Sequence, residues 1–115
     1  MNIQIEKSYN VQIWVGLREG YTDKVNTIDD VRKICQEYVK SGDCVTVTPT
    51  EFIYTDGNEP GVIIGYINYP RFPQSPAEIL EKAKILAMIL LEELKQYRIT
   101  ITTPEMSLMI ERDGF

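Results

Sequence analysis

Histidine is absent from this chain, and with it the commonest general base, the commonest metal ligand and every histidine-dependent catalytic triad. Glycine-rich phosphate loops are missing as well, since neither GxGxxG nor GxxxxGK followed by Ser or Thr occurs. Carboxylates are plentiful, at 17, but no pair stands out as placed for acid–base chemistry. The sequence therefore predicts no catalytic residue, no metal site and no cofactor, and a protein that binds its ligand without converting it.

Basic residues are a minority, 12 against 17 acidic ones, which gives a formal charge of −5. Such a chain lacks the positive field that non-specific DNA binding requires, although two or three arginines can still bind a small anion. The longest apolar run, residues 85–91, is too short to cross a bilayer, and the first residues do not resemble a signal peptide. We expect a cytoplasmic protein with no DNA partner and no membrane partner.

Only two cysteines are present, and the spacing of Cys35 and Cys44 fits neither a zinc site nor a CxxC motif. Both are predicted to be buried apolar residues in a reducing compartment. A disulfide between them is the less favoured alternative.

Hydrophobic periodicity predicts one α+β domain over residues 1–115. A first helix is predicted to follow the N-cap Thr27 and to end at Gly42, and a second to run from the N-cap Ser75 to about Gln96. A wide loop is predicted at 55–61, and Pro49 predicts a kink or bulge on an edge strand. Strands are predicted at residues 2–8, 11–17, 43–54, 62–69, 98–103 and 106–111. The order ββαββαββ favours a two-layer sandwich of an antiparallel sheet with two helices, ferredoxin-like or related.

The second helix carries more apolar residues than one packed face requires. The additional ones are Leu80, Ile85, Met88, Ile89 and Leu91. Each large apolar side chain left in water forgoes about 1.5–3 kcal/mol of burial. We therefore predict a homo-oligomer that buries this helix or the sheet beside it. The alternative is that these residues pack under the loops at 19–26 and 70–74.

Aromatic, arginine and small polar side chains are predicted to lie away from the apolar core, a combination that suits a nucleotide. Rings stack on bases, arginine binds phosphate oxygens with two hydrogen bonds, and amides or hydroxyls reach ribose and base edges. The proline-flanked segment YPRFP at 69–73 is the most specific of these features. The candidate ligand-binding residues are Trp14, Arg18, Tyr66, Asn68, Arg71, Phe72, Arg98 and Thr100. In the alternative, the rings belong to the core or an oligomer interface and the arginines pair with carboxylates.

Three segments together resemble a known family. They are WVGLREGY at 14–21, CVTVTPTEFIY at 44–54 and GVIIGYINYPRFP at 61–73. The chain resembles, from about residue 10 to 111, the first-described phage anti-Thoeris proteins, which act as sponges for a signalling nucleotide.

The resemblance implies a phage protein of the host cytoplasm that sequesters a cyclic ADP-ribose isomer without cleaving it and so blocks Thoeris defence. Some members of that family also hold cyclic oligonucleotides. The family assembles as dimers and in some members as hexamers, with the pocket at a subunit interface. Two alternatives stay open: a protein-interaction or assembly module with no small-molecule ligand, and a hydrolase or lyase that uses carboxylates alone.

Overall fold

Five strands and two helices make up the computed structural model, which describes residues 1–40 and 42–113. The elements are β1 Val11–Gly16, α1 Ile28–Tyr38, β2 Val45–Tyr54, β3 Gly57–Tyr66, α2 Pro76–Glu93, β4 Arg98–Thr102 and β5 Ser107–Glu111. The strands form one antiparallel sheet in the order β2-β3-β1-β4-β5. The predicted two-layer α+β sandwich is confirmed. The first four strands have a ferredoxin-like order, and β5 is added at one edge.

The core lies between the helices and one face of the sheet, and β1 runs through its centre. Ile13 on β1 is opposite Ile64 on β3 and Ile101 on β4, and all three are fully buried. From α2, Ile79 and Leu90 complete this layer and are equally inaccessible. The alternation of apolar and polar residues along each strand thus directs one face to the helices.

Both helices begin as predicted, with reciprocal capping boxes. The Thr27 hydroxyl accepts from the Asp30 amide at 3.2 Å, and the Asp30 carboxylate accepts from the Thr27 amide at 2.8 Å. Ser75 and Glu78 form the same pair at the start of α2. The backbone hydrogen bond from Thr27 lowers the pKa of Asp30, and that from Ser75 lowers the pKa of Glu78.

The strand predicted at residues 2–8 is not formed, so the element order is βαββαββ. Both neighbours of β1 are occupied, by β3 and β4, which leaves this segment no adjacent strand. It runs instead beside the chain that follows β3. There Gln4 donates to the Pro70 carbonyl, and the Asn68 side chain donates to the Lys7 carbonyl at 2.8 Å.

The wide loop predicted at 55–61 is also wrong, because β2 and β3 form a tight hairpin in which Tyr54 pairs with Gly57. Asp56 in the turn adopts φ 62°. Pairing continues through Pro49, opposite Val62, because β2 is an edge strand and the proline needs no donor on its free side. As a result β3 begins five residues earlier than predicted, and residue 59 lies in the sheet.

Two smaller predictions around α1 need correction. The helix ends at Tyr38 with Val39 as its C-cap, so Gly42, at φ 88°, belongs to the following loop. Cys35 is buried as predicted, and burial raises the pKa of its thiol. Cys44 is exposed just before β2, and both thiols are free.

The apolar excess of α2 is only partly covered by the chain itself. Leu91 is buried, and Leu80 and Ile89 pack against the core. Ile85 and Met88 remain 49% and 50% exposed. Among the described residues, no helix combines the length and apolarity needed to span a bilayer.

Candidate functional site

The sheet face opposite the helices is polar and concave at one end. Trp14 and Gly16 of β1 lie on this face, next to Gly61 of β3 and Thr100 of β4. Strand alternation places them there, since their sequence neighbours Ile13 and Val15 point into the core.

Glycine at position 16 forms part of the floor of this concavity. Gly16 and Gly61 are direct partners across β1 and β3. A Cβ on Gly16 would lie 3.0 Å from Gln96 Oε1 and 3.2 Å from Glu59 Oε2, whereas the Phe52 ring already occupies the space that a Cβ on Gly61 would take. The missing side chain of Gly16 leaves room in a cavity of about 290 Å³, which we call the open-face cavity. It adjoins a second cavity of about 360 Å³.

Aromatic rings line the open-face cavity. Trp14 is held in place because its Nε1 donates to Thr102 Oγ1 at 2.9 Å. Tyr21 and Tyr97 pack with ring centroids 4.9 Å apart. The turn at Gly20 makes this possible: its φ is 56°, and a Cβ there would lie 3.0 Å from the Tyr97 ring. The cavity therefore offers fixed ring surfaces.

Charged side chains without protein partners also line the cavity. Glu59 on β3 is half-buried and makes no ion pair or side-chain hydrogen bond with the described residues. The guanidinium groups of Arg18 and Arg98 likewise have no ion-pair partner within residues 1–40 and 42–113. Arg98 is exposed, whereas Arg18 and Glu59 are half-buried. Half-buried groups of opposite sign that do not pair with each other are typical of a ligand site.

Gln96 fixes the junction between α2 and β4 at the back of this cavity. It is 6% exposed, and its Nε2 donates to the Arg18 carbonyl at 2.7 Å and to the Leu94 carbonyl at 3.1 Å. These bonds leave Oε1 beside Gly16. The amide thus ties the β1 end of the cavity to the helix layer and presents an acceptor to it.

Four of the eight predicted site residues meet in this cavity: Trp14, Arg18, Arg98 and Thr100. Tyr66 does not, because it faces the helices and is 6% exposed. Burial, with a smaller effect from Asp43, raises its pKa to about 12. The structure therefore does not bring Tyr66 to this cavity, and its stacking role stays a prediction.

The remaining three candidates lie beyond β3 and outside the cavity. Asn68 has a structural role, since it donates to the Lys7 carbonyl and accepts from the Gln74 amide, each at 2.8 Å. Arg71 lies 5.6 Å from the centre of the Phe72 ring, and both side chains are exposed. The structure does not bring these residues together with Trp14.

Sequence reasoning missed several residues of the cavity: Tyr21, Phe52, Glu59, Gln96 and Tyr97. Glu59 was not recognised as a site residue because residues 55–61 have the composition of a loop, so no strand was predicted there. One usable signal was present, since Gly16 within a strand pattern indicates a close approach or open space beside the sheet.

A larger cavity of about 830 Å³ lies between α2 and β5, and we call it the α2–β5 groove. Met88, Leu91 and Ile110 give it apolar walls. Its arginine, Arg112, is already engaged by Glu92 at 3.2 Å and by the Leu91 and Gln96 carbonyls. The groove therefore suits an apolar segment better than a nucleotide.

Comparison with known proteins gives a structural likeness only. No protein-family model matches the chain, and no curated protein matches its sequence. It is similar to a phage SAM lyase in the apo state, with a TM-score of 0.71, 18% identity, and coverage of 93% of this chain and 91% of that one. It is also similar to a phage SAM lyase in complex with S-methyl-5'-thioadenosine, with a TM-score of 0.71, 20% identity, and coverage of 100% and 98%.

This likeness corrects the prediction that the protein is not an enzyme. Both structures that share the fold over nearly the whole chain are of an enzyme, so missing histidine and phosphate loops are a poor basis for that inference. The anti-Thoeris resemblance and these structures have in common a phage protein with a nucleotide-like ligand. The cyclic ADP-ribose ligand and the sponge function stay predictions.

Proposed function

We propose that the protein binds S-adenosylmethionine in the open-face cavity and acts on it as a lyase, releasing S-methyl-5'-thioadenosine. The observation that carries the proposal is the presence of unpaired Glu59 and Arg18 beside fixed aromatic rings in one cavity. A ligand that satisfies all three must combine a cation, an anion and a flat ring.

S-adenosylmethionine has these parts. Its adenine would stack on the ring surfaces of Trp14 and Tyr97, where a base typically gains about 1–3 kcal/mol. Its ammonium would pair with Glu59, and its carboxylate would accept from Arg18. The adjoining cavity shares Arg18 and Glu59 with the first and extends the site beyond the volume that a nucleoside alone needs.

The chemistry needs none of the groups that the sequence lacks. The bond between the sulfonium sulfur and the methionine Cγ breaks with its electron pair going to sulfur, which leaves a neutral thioether. The substrate's own carboxylate oxygen forms the new bond to Cγ, giving a five-membered lactone with no proton transferred. Because the sulfonium charge disappears in this step, surroundings of low polarity such as Trp14 and Phe52 favour it.

A cyclic ADP-ribose isomer, the ligand of the anti-Thoeris resemblance, fits these charges less well. Its two phosphates would find Arg18 and Arg98, but Glu59 lines the same cavity and would repel them. The half-buried carboxylate thus favours a ligand with a positive centre.

The test is incubation of the protein with S-adenosylmethionine and chromatographic measurement of S-methyl-5'-thioadenosine over time. We expect turnover that falls about 100-fold in Glu59→Gln, because a charge-assisted contact in a partly desolvated site contributes about 1.5–3 kcal/mol. Glu37→Gln is the matched control, since Glu37 is an exposed carboxylate on the helix side.

Release of no thioadenosine by the wild-type protein would contradict the lyase proposal. Calorimetry with a cyclic ADP-ribose isomer, run in parallel, separates the two ligands. Tight binding of that isomer together with no binding of S-adenosylmethionine would favour the anti-Thoeris hypothesis.

A further inference from the structure

The first eight residues, which we call the N-terminal arm, have the pattern of a strand but no strand partner within residues 1–40 and 42–113. Ile3 and Ile5 alternate with Gln4 and Glu6 and are 88% and 84% exposed. Period-two alternation ordinarily marks a segment with one buried face. The arm therefore has a face suited to a partner that its own fold does not supply.

The two edges of the sheet differ in how well they resist strand pairing. The edge strand β2 carries Pro49, which cannot donate to a further strand. The opposite edge strand, β5, has the sequence SLMIE and contains neither proline nor lysine. Its outer backbone groups are therefore available to another strand.

Beside β5 lies the α2–β5 groove, in which Met88, Leu91 and Ile110 form the apolar walls. Charged residues also line it: Glu92, Lys95, Glu111, Arg112 and Asp113. Leu108 and Ile110 point to the helix side of β5 and are only partly buried. Met88 on α2 is half exposed next to them. A strand added to β5 with its apolar face toward α2 would extend the core layer and cover all three residues.

We propose that the N-terminal arm of one copy of this chain adds to β5 of a second copy as a sixth strand. The two surfaces complement each other: the arm supplies exposed isoleucines on one face, and the groove supplies half-exposed Met88 and partly buried Ile110 beside an unprotected edge. The arm would thus be the segment that covers the exposed apolar face of α2, which the sequence predicts to be buried in an oligomer.

Charge selects the orientation of the added strand. Antiparallel pairing with Ile5 opposite Leu108 and Ile3 opposite Ile110 puts Glu6 opposite Ser107, with no like charges facing each other. In the parallel arrangement that keeps the same isoleucine contacts, Glu6 would instead lie beside Glu111, and two carboxylates would repel.

The arm belongs to a neighbouring copy because of where it leaves its own sheet. It is held against the chain after β3, where Gln4 and Asn68 bond it to that segment. Since β3 and β4 flank β1 on opposite sides, this position and β5 lie on opposite sides of β1. An arm anchored there is directed away from its own β5 and toward another molecule.

The test is the molar mass of the full chain in solution, measured by light scattering and sedimentation velocity at micromolar concentrations. We expect the wild-type protein to contain at least two chains, and Ile3→Lys with Ile5→Lys to raise the dissociation constant at least 100-fold and give a monomer. Ile53→Lys is the matched control, because Ile53 is an exposed isoleucine, 78% accessible, on the protected edge strand.

A second measurement tests the register. Glu6→Cys and Ser107→Cys, each made with Cys44→Ser, are mixed and oxidised, and we expect a cross-linked pair of chains on a non-reducing gel. A monomeric wild-type protein would overturn the proposal, as would an oligomer that Ile3→Lys with Ile5→Lys leaves intact. None of these readouts uses a nucleotide, so their outcome is independent of the proposed enzyme activity.

Discussion

The two faces of the sheet differ: one is packed against the helices, and the other carries the proposed ligand site. On the helix side, Ile13, Ile64 and Ile101 are packed without access to solvent. On the other side, further along the same strands, Gly16 leaves space, and Glu59 has no ion-pair partner among the described residues. One strand thus contributes both to the buried core and to an open cavity, because alternate residues point in opposite directions.

The largest expected effect is on the packed face. Leu90→Ala should lower the free energy of unfolding by about 2–5 kcal/mol, because the fully buried side chain leaves a cavity that its neighbours fill only partly. Denaturant unfolding measures it. The dissociation constant for S-methyl-5'-thioadenosine should stay unchanged under native conditions, and a large loss of affinity would break the division between the faces.

The next effect is on the open face. Gly16→Val should weaken binding of S-methyl-5'-thioadenosine at least tenfold, or about 1.4 kcal/mol, because the new side chain occupies the cavity beside Gln96 and Glu59. Calorimetry checks the affinity, and unfolding checks the fold. Retention of wild-type affinity by this variant would place the ligand elsewhere.

Two arginines, one that lines the cavity and one that lies outside it, give the next test of where the ligand binds. Arg18→Gln should raise KM for S-adenosylmethionine at least tenfold, since it lines the cavity and its charge-assisted bond contributes about 1.5–3 kcal/mol. Arg71→Gln should leave KM unchanged, because Arg71 lies outside the cavity against Phe72. A raised KM in Arg71→Gln together with an unchanged KM in Arg18→Gln would place the ligand at the YPRFP segment instead.

The smallest effect concerns the helix ends and depends on pH. Because hydrogen bonds from Ser75 lower the pKa of Glu78 in the folded state, its contribution is present above the ordinary value and is lost as pH falls through the lowered one. The Tm of the wild-type protein should therefore fall more steeply than that of Glu78→Gln below about pH 4.5. If Tm fell equally with pH in the two proteins, the ionised Glu78 side chain would make no contribution to the stability of the folded state.

The sequence was sufficient for the elements whose signals are local. Thr27 and Ser75 predicted both helix starts, because a capping box is made within four residues. The alternation at 11–17 and 98–103 predicted β1 and β4, together with the side to which Trp14 and Thr100 point. Three of the predicted site residues, Trp14, Arg98 and Thr100, therefore lie on the predicted strands and in the open-face cavity.

The predictions that were wrong concern features that depend on contacts between distant segments. Residues 55–61 have turn composition, yet pairing with β2 draws most of them into β3 and places Glu59 on the open face. Residues 2–8 have strand alternation, yet both sides of β1 are already occupied. Local pattern predicted the hairpin of β2 and β3 but does not report which partners are available, so neither its tight turn nor the carboxylate of the candidate site could be predicted.

The chain has a single tryptophan, Trp14, which lines the open-face cavity, so its emission reports directly on the central claim. Titration with S-methyl-5'-thioadenosine should give a saturable change in Trp14 fluorescence in the wild-type protein. The change should be lost in Gly16→Val at the same ligand concentrations. No change in the wild-type protein, or an equal change in Gly16→Val, would contradict the assignment of this cavity as the nucleoside site.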